Sequence, residues 1–247
     1  MPPSLKAMRI DVYLCEMGLA NSRTDAKTRI LNGDVSLNSR IVKKPSQEVL
    51  EGDDVQLVNN SCRFVSRGGL KLEGALGAFE VSAVGKKCID IGASTGGFTD
   101  CLLQSGAEAV IALDTGTSQL SGKLIADGRV TSIENYNARY LKAEDLPYEP
   151  ELAVMDVSFI SATYIIPSVF TVLCDGGDFI CLVKPQFEVG RANIGKGGIV
   201  KDQAAREMAL SRVIDFACAV GFKHLGSIVS PIKGGEGNIE YLVHFRK

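Results

Sequence analysis

Beyond position 85, apolar residues arrive in short runs separated by helical patterns, the spacing of a sheet wrapped in helices. Strands are predicted at 87–91, 109–114, 130–134, 152–156, 178–184, 223–230 and 239–245, and helices at 97–105, 118–126, 161–173 and 203–220. Runs such as Leu152-Ala153-Val154-Met155 are apolar at every position, as strands covered on both faces must be, which predicts an α/β fold with a mostly parallel sheet. The last two runs have no helix between them and are expected to pair as an antiparallel hairpin at the sheet edge. In such sheets ligands sit beyond the carboxyl ends of the strands, where the strand order reverses.

The first sixty residues follow a different pattern. Residues 9–17 carry a short helical pattern, Ser22-Arg23-Thr24-Asp25 has the hydroxyl and carboxylate of a capping box for a second helix, and Gly33 ends that helix. Val35-Ser36-Leu37 and Ile41-Val42 flank a polar Asn38-Ser39 turn, and Asp54 to Val58 supplies a further strand. Polar Asn59 to Phe64 is a linker pattern. The chain therefore divides into a small α+β domain at 1–58, a linker at 59–64 and a larger α/β domain at 65–247.

Charge changes this picture only locally. The 247 residues carry a net charge of −2, which exerts no general pull on nucleic acid, but residues 1–47 hold eight Lys/Arg against four acids. Seven cysteines, an odd number without a Cys-x-x-Cys pair, suit a reducing cytosol and read as small buried hydrophobes. His224 and His244 are too few and too isolated for a zinc site, so no metal is expected. No signal-peptide core and no run of the roughly 20 apolar residues that a bilayer requires is seen, so a cytoplasmic protein is expected.

The richest chemistry lies in Cys88-Ile89-Asp90-Ile91-Gly92-Ala93-Ser94-Thr95-Gly96-Gly97-Phe98-Thr99, where a buried strand passes through a glycine-rich turn into a helix. Such a turn lets backbone approach a ligand without an intervening Cβ. Asp114 ends the next strand, about 20 residues on, where an acid binds a ribose diol. The spacing is Gly-x-x-x-Gly-Gly and not the Gly-x-Gly-x-x-Gly of nicotinamide sites, which favours S-adenosylmethionine held by Gly92, Ala93, Ser94, Thr95, Gly96, Gly97, Phe98 and Asp114. Asp156 and Lys184 close two further apolar strands and are expected to pair, because a lone charge there is expensive to bury. Val157-Ser158 after Asp156 supplies neither the Pro-Pro-aromatic of exocyclic-amine methylation nor the cysteine of pyrimidine-carbon methylation, leaving a hydroxyl acceptor.

Arg9-Ile10-Asp11, Ser22-Arg23, Asn32-Gly33-Asp34-Val35, Asn38 and Val49-x-x-Gly52-Asp53 resemble the S4 RNA-binding domain. Ser66-Arg67-Gly68-Gly69-Leu70-Lys71-Leu72, Asp90 to Thr99, Asp156 to Ser161, Val183 to Glu188 and Gly237-Asn238-Ile239-Glu240 resemble the TlyA family over essentially the whole chain. That family joins an S4 domain to an FtsJ-like, Rossmann-like S-adenosylmethionine-dependent methyltransferase. The resemblance implies 2′-O-methylation of a cytidine ribose in ribosomal RNA, with Lys71, Asp156, Lys184 and Glu240 as its catalytic tetrad and Arg9, Arg23 and Lys44 as phosphate contacts. Partners would be ribosomal RNA or ribosomal subunits, not DNA or membrane, and the chain's ending directly after its last strand favours the large subunit. A non-catalytic ribosome-assembly protein and a membrane-acting hemolysin are the competing readings; the tetrad opposes the first and the lack of an amphipathic inserting segment opposes the second. Lys184 would take the hydroxyl proton, its pKa lowered from about 10.4 by desolvation and by the neighbouring cation Lys71. Asp156 would orient that amine and lie near the sulfonium, Glu240 would position Lys71, and the glycine-rich loop 188–200 would close as a lid.

Overall fold

Alternating helical and extended patterns in the first sixty residues produce one small unit, Met1–Cys62, and the strand–helix alternation beyond produces a second, Arg63–Lys247. The computed structural model describes residues 7–20, 23–58, 63–190, 193–234 and 237–247. Within the first unit the order is β1 (Met8–Arg9), α1 (Ile10–Glu16), α2 (Arg23–Asn32), β2 (Val35–Leu37), β3 (Arg40–Ile41), β4 (Glu48–Val49) and β5 (Val55–Leu57). Ile10 and Leu14 on α1 and Ala26 and Ile30 on α2 recur at four-residue spacing, so each helix turns one stripe onto a fully buried core shared with Val35. β2 is the centre of an antiparallel β3-β2-β5 sheet. Asn38 (φ 50°) and Ser39 (φ 65°) both adopt the left-handed region that a two-residue hairpin turn requires. The short pairing of β1 with β4, Met8 opposite Val49, was not visible in the pattern. Ser22 of the expected capping box lies outside the described residues, as do Asn59 to Cys62 of the linker.

In the second unit α3 (Gly68–Ala78) precedes β6 (Lys87–Ile91), α4 (Gly97–Gln104), β7 (Ala109–Leu113), α5 (Gly122–Ile125) and β8 (Val130–Ile133). Then follow β9 (Leu152–Met155), α6 (Ile166–Val172), β10 (Asp178–Val183), α7 (Pro185–Glu188), α8 (Gln203–Val220), β11 (Lys223–Val229) and β12 (Tyr241–Arg246). The sheet order is β11-β12-β10-β9-β6-β7-β8. All neighbours from β10 to β8 run parallel, and only β12 is reversed. The last two strands do pair antiparallel, but β12 inserts between β10 and β11, leaving β11 at the edge. Strand order reverses between β6 and β9, which sets the ligand side of the sheet at the ends of those two strands.

Two expected helices are shorter than their patterns. Of 118–126 only Gly122–Ile125 is helical, and 161–173 splits into a 3₁₀ turn at Ala162–Tyr164 and α6, with Pro167 in the first turn of α6. At the amino-terminal edge of the sheet, buried Asp178 accepts hydrogen bonds from Lys86 (2.9 Å) and Arg246 (2.8 Å) and pairs with His244 (2.9 Å), tying three segments together. Burial alone would raise this carboxyl, but the three partners outweigh it and hold it well below the usual carboxylate range. Burial pushes the Cys88 and Cys101 thiols up to about 12 and raises Cys181 as well, so none is a nucleophile. Cys218 is exposed and Cys15 and Cys174 half-buried, departing from the expectation that the cysteines are core residues.

Candidate active site

Gly92 leaves β6 at φ 85°, and a Cβ on it would run into the backbone carbonyl of Asp156, just past the end of neighbouring β9. Any side chain there would force the two strand ends apart. The amides of Gly92 and Ala93 both donate to the Leu113 carbonyl, at 2.8 and 3.1 Å, fastening the turn to β7. Ser94 (φ 47°) donates its amide to Asp114 Oδ2 at 2.8 Å, and Gly116 donates to Asp114 Oδ1 at 2.7 Å. The acid at the end of the second strand is thus held in place by backbone, half-exposed beside the glycine turn, with lone pairs left for a diol. Thr95 holds Ser121 through its carbonyl, whereas Gly96, Gly97 and Phe98 are buried and shape the start of α4 from behind.

Asp90, just before the glycine turn, is a buried acid that the glycine pattern did not single out. It is fully buried, and its Oδ2 accepts from the Thr99 amide (2.9 Å) and hydroxyl (2.7 Å), capping α4. Its Oδ1 is buried without a hydrogen-bond partner. Burial, aided by the nearby carboxylates of Asp156 and Asp114, pushes the Asp90 carboxyl up to about 7 against the opposing Thr99 bonds. An acid inside the apolar run Cys-Ile-Asp-Ile was the available signal.

The tetrad residues form two acid–base pairs. Lys71 Nζ on α3 donates to Glu240 Oε2 at 2.6 Å, both buried, and the Lys184 ammonium sits in ion-pair contact with the Asp156 carboxylate. Register brings three of these positions to one edge of the sheet. Asp156 follows β9, Lys184 follows β10, and Val183 lies opposite Tyr241, so the next step of that ladder sets Lys184 beside Glu240. Each lysine thus has its own carboxylate, Glu240 beside Lys71 and Asp156 beside Lys184.

The loop after Asp156 holds residues the tetrad did not include. Ser158 Oγ accepts from Lys184 Nζ at 2.8 Å, giving the amine a second anchor. Phe159 adopts φ 63°, is 92 % exposed and leans on Phe187 with ring centroids 5.3 Å apart. A bulky residue in the left-handed region is strained, and such strain concentrates at functional sites. Buried Glu188 fixes the far end of this loop through Ser161 Oγ (2.6 Å) and the Ala162 amide (2.8 Å). In the glycine-rich segment, buried Asn238 accepts from the Val200 amide (3.0 Å) and donates to the Gly198 carbonyl (2.9 Å), two residues before Glu240. Arg191 and Ala192 of that segment lie outside the described residues.

In the first unit, Arg9 (2.9 and 3.1 Å) and Arg23 (3.1 Å) both donate to the fully buried carboxylate of Asp11. These two guanidinium groups hold the Asp11 carboxyl down at about 2, despite its burial. Lys44 starts the turn whose Pro45 and Gln47 carbonyls accept from the Asp11 and Ile10 amides, so its backbone docks at the same helix start.

A glycine cradle at the switch point, an acid at the end of the second strand and paired charges at the next two strand ends define the class of Rossmann-like S-adenosylmethionine-dependent methyltransferases. The Asp114 carboxylate fits that cofactor by its unused lone pairs, and Gly92 lets the turn that orients it close against the end of the neighbouring strand. The FtsJ-like methyltransferase family matches residues 64–247, and the S4 domain matches residues 8–55. The 16S/23S rRNA (cytidine-2′-O)-methyltransferase TlyA of Mycobacterium tuberculosis is 40 % identical over 96 % of this chain and 89 % of its own length. Hemolysin A of Brachyspira hyodysenteriae is 46 % identical over 96 % of this chain and 99 % of its own. A solved structure from Streptococcus thermophilus, also bearing a hemolysin name, superposes with a TM-score of 0.78 at 46 % identity, covering 98 % of this chain and 88 % of that one. With both domains in order and this degree of identity along its length, the chain belongs to the TlyA family of S4–FtsJ-like methyltransferases. No helix among the described residues is long and apolar enough to cross a membrane, and no cluster of three or more metal-ligating side chains is found among them.

Proposed function

We propose that this chain methylates the ribose 2′-hydroxyl of a cytidine in ribosomal RNA and works in the cytoplasm where that RNA is assembled into ribosomes. The observation that carries the reading is the pairing of Lys71 with Glu240 and Lys184 with Asp156 at the strand ends beside the Gly92–Asp114 cradle. S-adenosylmethionine, when bound, supplies a sulfonium methyl group as the electrophile. A ribose hydroxyl is a weak nucleophile, so the protein must align it in line with that carbon and remove its proton. Lys184 Nζ, anchored by Asp156 and Ser158, is the group that in its uncharged form would accept this proton as the hydroxyl oxygen bonds to the methyl carbon and the carbon–sulfur bond breaks. Glu240 holds Lys71 so that its ammonium faces the same edge without adding net charge. The exposed ring of Phe159 offers a face on which an unstacked base can rest at the rim. RNA affinity comes from the Arg9, Arg23 and Lys44 region of the first unit.

The test is to offer purified small and large ribosomal subunits separately, with methyl-labelled cofactor, and map the label by resistance of the modified linkage to alkaline cleavage. Label on a single cytidine ribose of the large subunit is expected. Label confined to a base atom, or no transfer to either subunit, would refute the reading.

A further inference from the structure

Between the Asn38-Ser39 turn and the start of β4 the first unit has an open groove of about 590 Å³, within the range of sites that hold a ligand fragment. Arg40, Lys43 and Lys44 line it together with the amides of Asn38 and Gln47, over an aliphatic floor that includes Ile41. No carboxylate and no aromatic ring is among its lining residues. All three cations are exposed, and none makes a hydrogen bond or ion pair among the described residues. Arg9, Arg23 and Arg29 in the same unit each have a carboxylate partner. Of the two acids hydrogen-bonded to Asn38, Asp53 accepts from Asn38 Nδ2 (2.7 Å) and the Leu50 amide (2.8 Å), and the Asp54 carboxylate accepts from Gln56 Nε2 (2.7 Å).

Three like charges on one concave wall repel one another, and an anion seated between them relieves that repulsion. The geometry points to this groove as a seat for the phosphodiester backbone of an RNA strand, with Arg40 and Lys43 as contacts additional to Arg9, Arg23 and Lys44. Backbone is the occupant and not a base, because cations and amides pair with phosphate and sugar oxygens, whereas base reading by single strands relies on aromatic stacking that the lining lacks. The groove therefore adds affinity without sequence preference. This inference rests on the RNA substrate proposed above.

The experiment measures binding of the full-length chain to a ribosomal RNA fragment across a series of salt concentrations, comparing the natural protein with Arg40→Gln/Lys43→Gln and the charge-conserving Arg40→Lys/Lys43→Arg. Each phosphate contact contributes about 0.7–0.9 to the slope of log affinity against log salt, so the neutralised double variant should flatten it by about 1.4–1.8. The conserving variant should keep the slope, and because both positions are exposed, the melting temperature of each variant should match the natural protein. A steep slope in the natural protein that persists unchanged in the neutralised variant overturns the groove and leaves the methyltransferase reading standing. Absence of salt-dependent RNA binding in the natural protein overturns both.

Discussion

The Lys71–Glu240 pair offers a test in which stability and chemistry separate. Both side chains are nearly sealed from water, at 11 % and 3 % exposure, and their atoms meet at 2.6 Å. Removing one partner leaves the other as an uncompensated buried charge, at a cost of about 3–5 kcal/mol. At roughly 2–4 °C per kcal/mol for a domain of this size, Glu240→Ala should melt about 6–20 °C lower. Lys71→Met strands the carboxylate instead, and a stranded acid has its folded-state pKa raised. Stability of that variant is therefore lowest at high pH and recovers as pH falls through the raised value. The double variant Lys71→Met/Glu240→Leu replaces the ion pair with apolar groups of similar reach, an exchange that is often neutral or stabilising, so its melting temperature should return close to that of the natural protein. Its methyl transfer should nevertheless remain abolished. Calorimetry gives the stability of each variant, and labelled-methyl transfer to ribosomal subunits, run well below every melting temperature, gives activity. Recovery of both stability and activity in the double variant would refute a catalytic part for the pair, and a loss under about 1 kcal/mol in Glu240→Ala would refute the buried-charge argument.

Lys184→Ala should abolish transfer while cofactor affinity, measured by titration calorimetry, stays within a few-fold; retained turnover removes the lysine from the proton-accepting role. Asp178 contributes stability that is fully present above the ordinary carboxylate pKa of about 3.9 and is lost as pH falls toward its depressed folded value. Asp178→Asn should accordingly be less stable at neutral pH and flatten the loss below pH 4 in urea titrations, and an unaltered acid limb contradicts the assignment. Asp11→Asn removes a negative charge from an RNA-facing unit, yet it should weaken RNA binding because Arg9 and Arg23 lose the buried carboxylate that aligns them. Filter binding at fixed salt decides this, since tighter binding means that net charge outweighs alignment.

The sheet was legible because its signal is local. β7, β9 and β10 are apolar at almost every position and are followed by charged residues, so Asp114, Asp156 and Lys184 could be placed at strand ends from the pattern alone. α3 was not legible, although it carries Lys71. Its segment holds four glycines, which depress helix propensity and read as loop. Two of them answer to packing: a Cβ on Gly69 would overlap the Phe64 ring, and one on Gly74 would strike Pro231. A helix that must lie this close to its neighbours gives up propensity for approach, and tertiary packing supplies the stability that its sequence lacks. The same logic separates the pairs of the tetrad. Asp156 and Lys184 follow the ends of adjacent parallel strands, whereas Lys71 reaches Glu240 across 169 residues through a helix packing that no periodicity encodes. Family resemblance could supply those two positions; the coordinates show that the acid answering the charge on Lys71 is Glu240 and not Asp156, which pairs with Lys184, and this contact ties the helix to the start of the reversed strand.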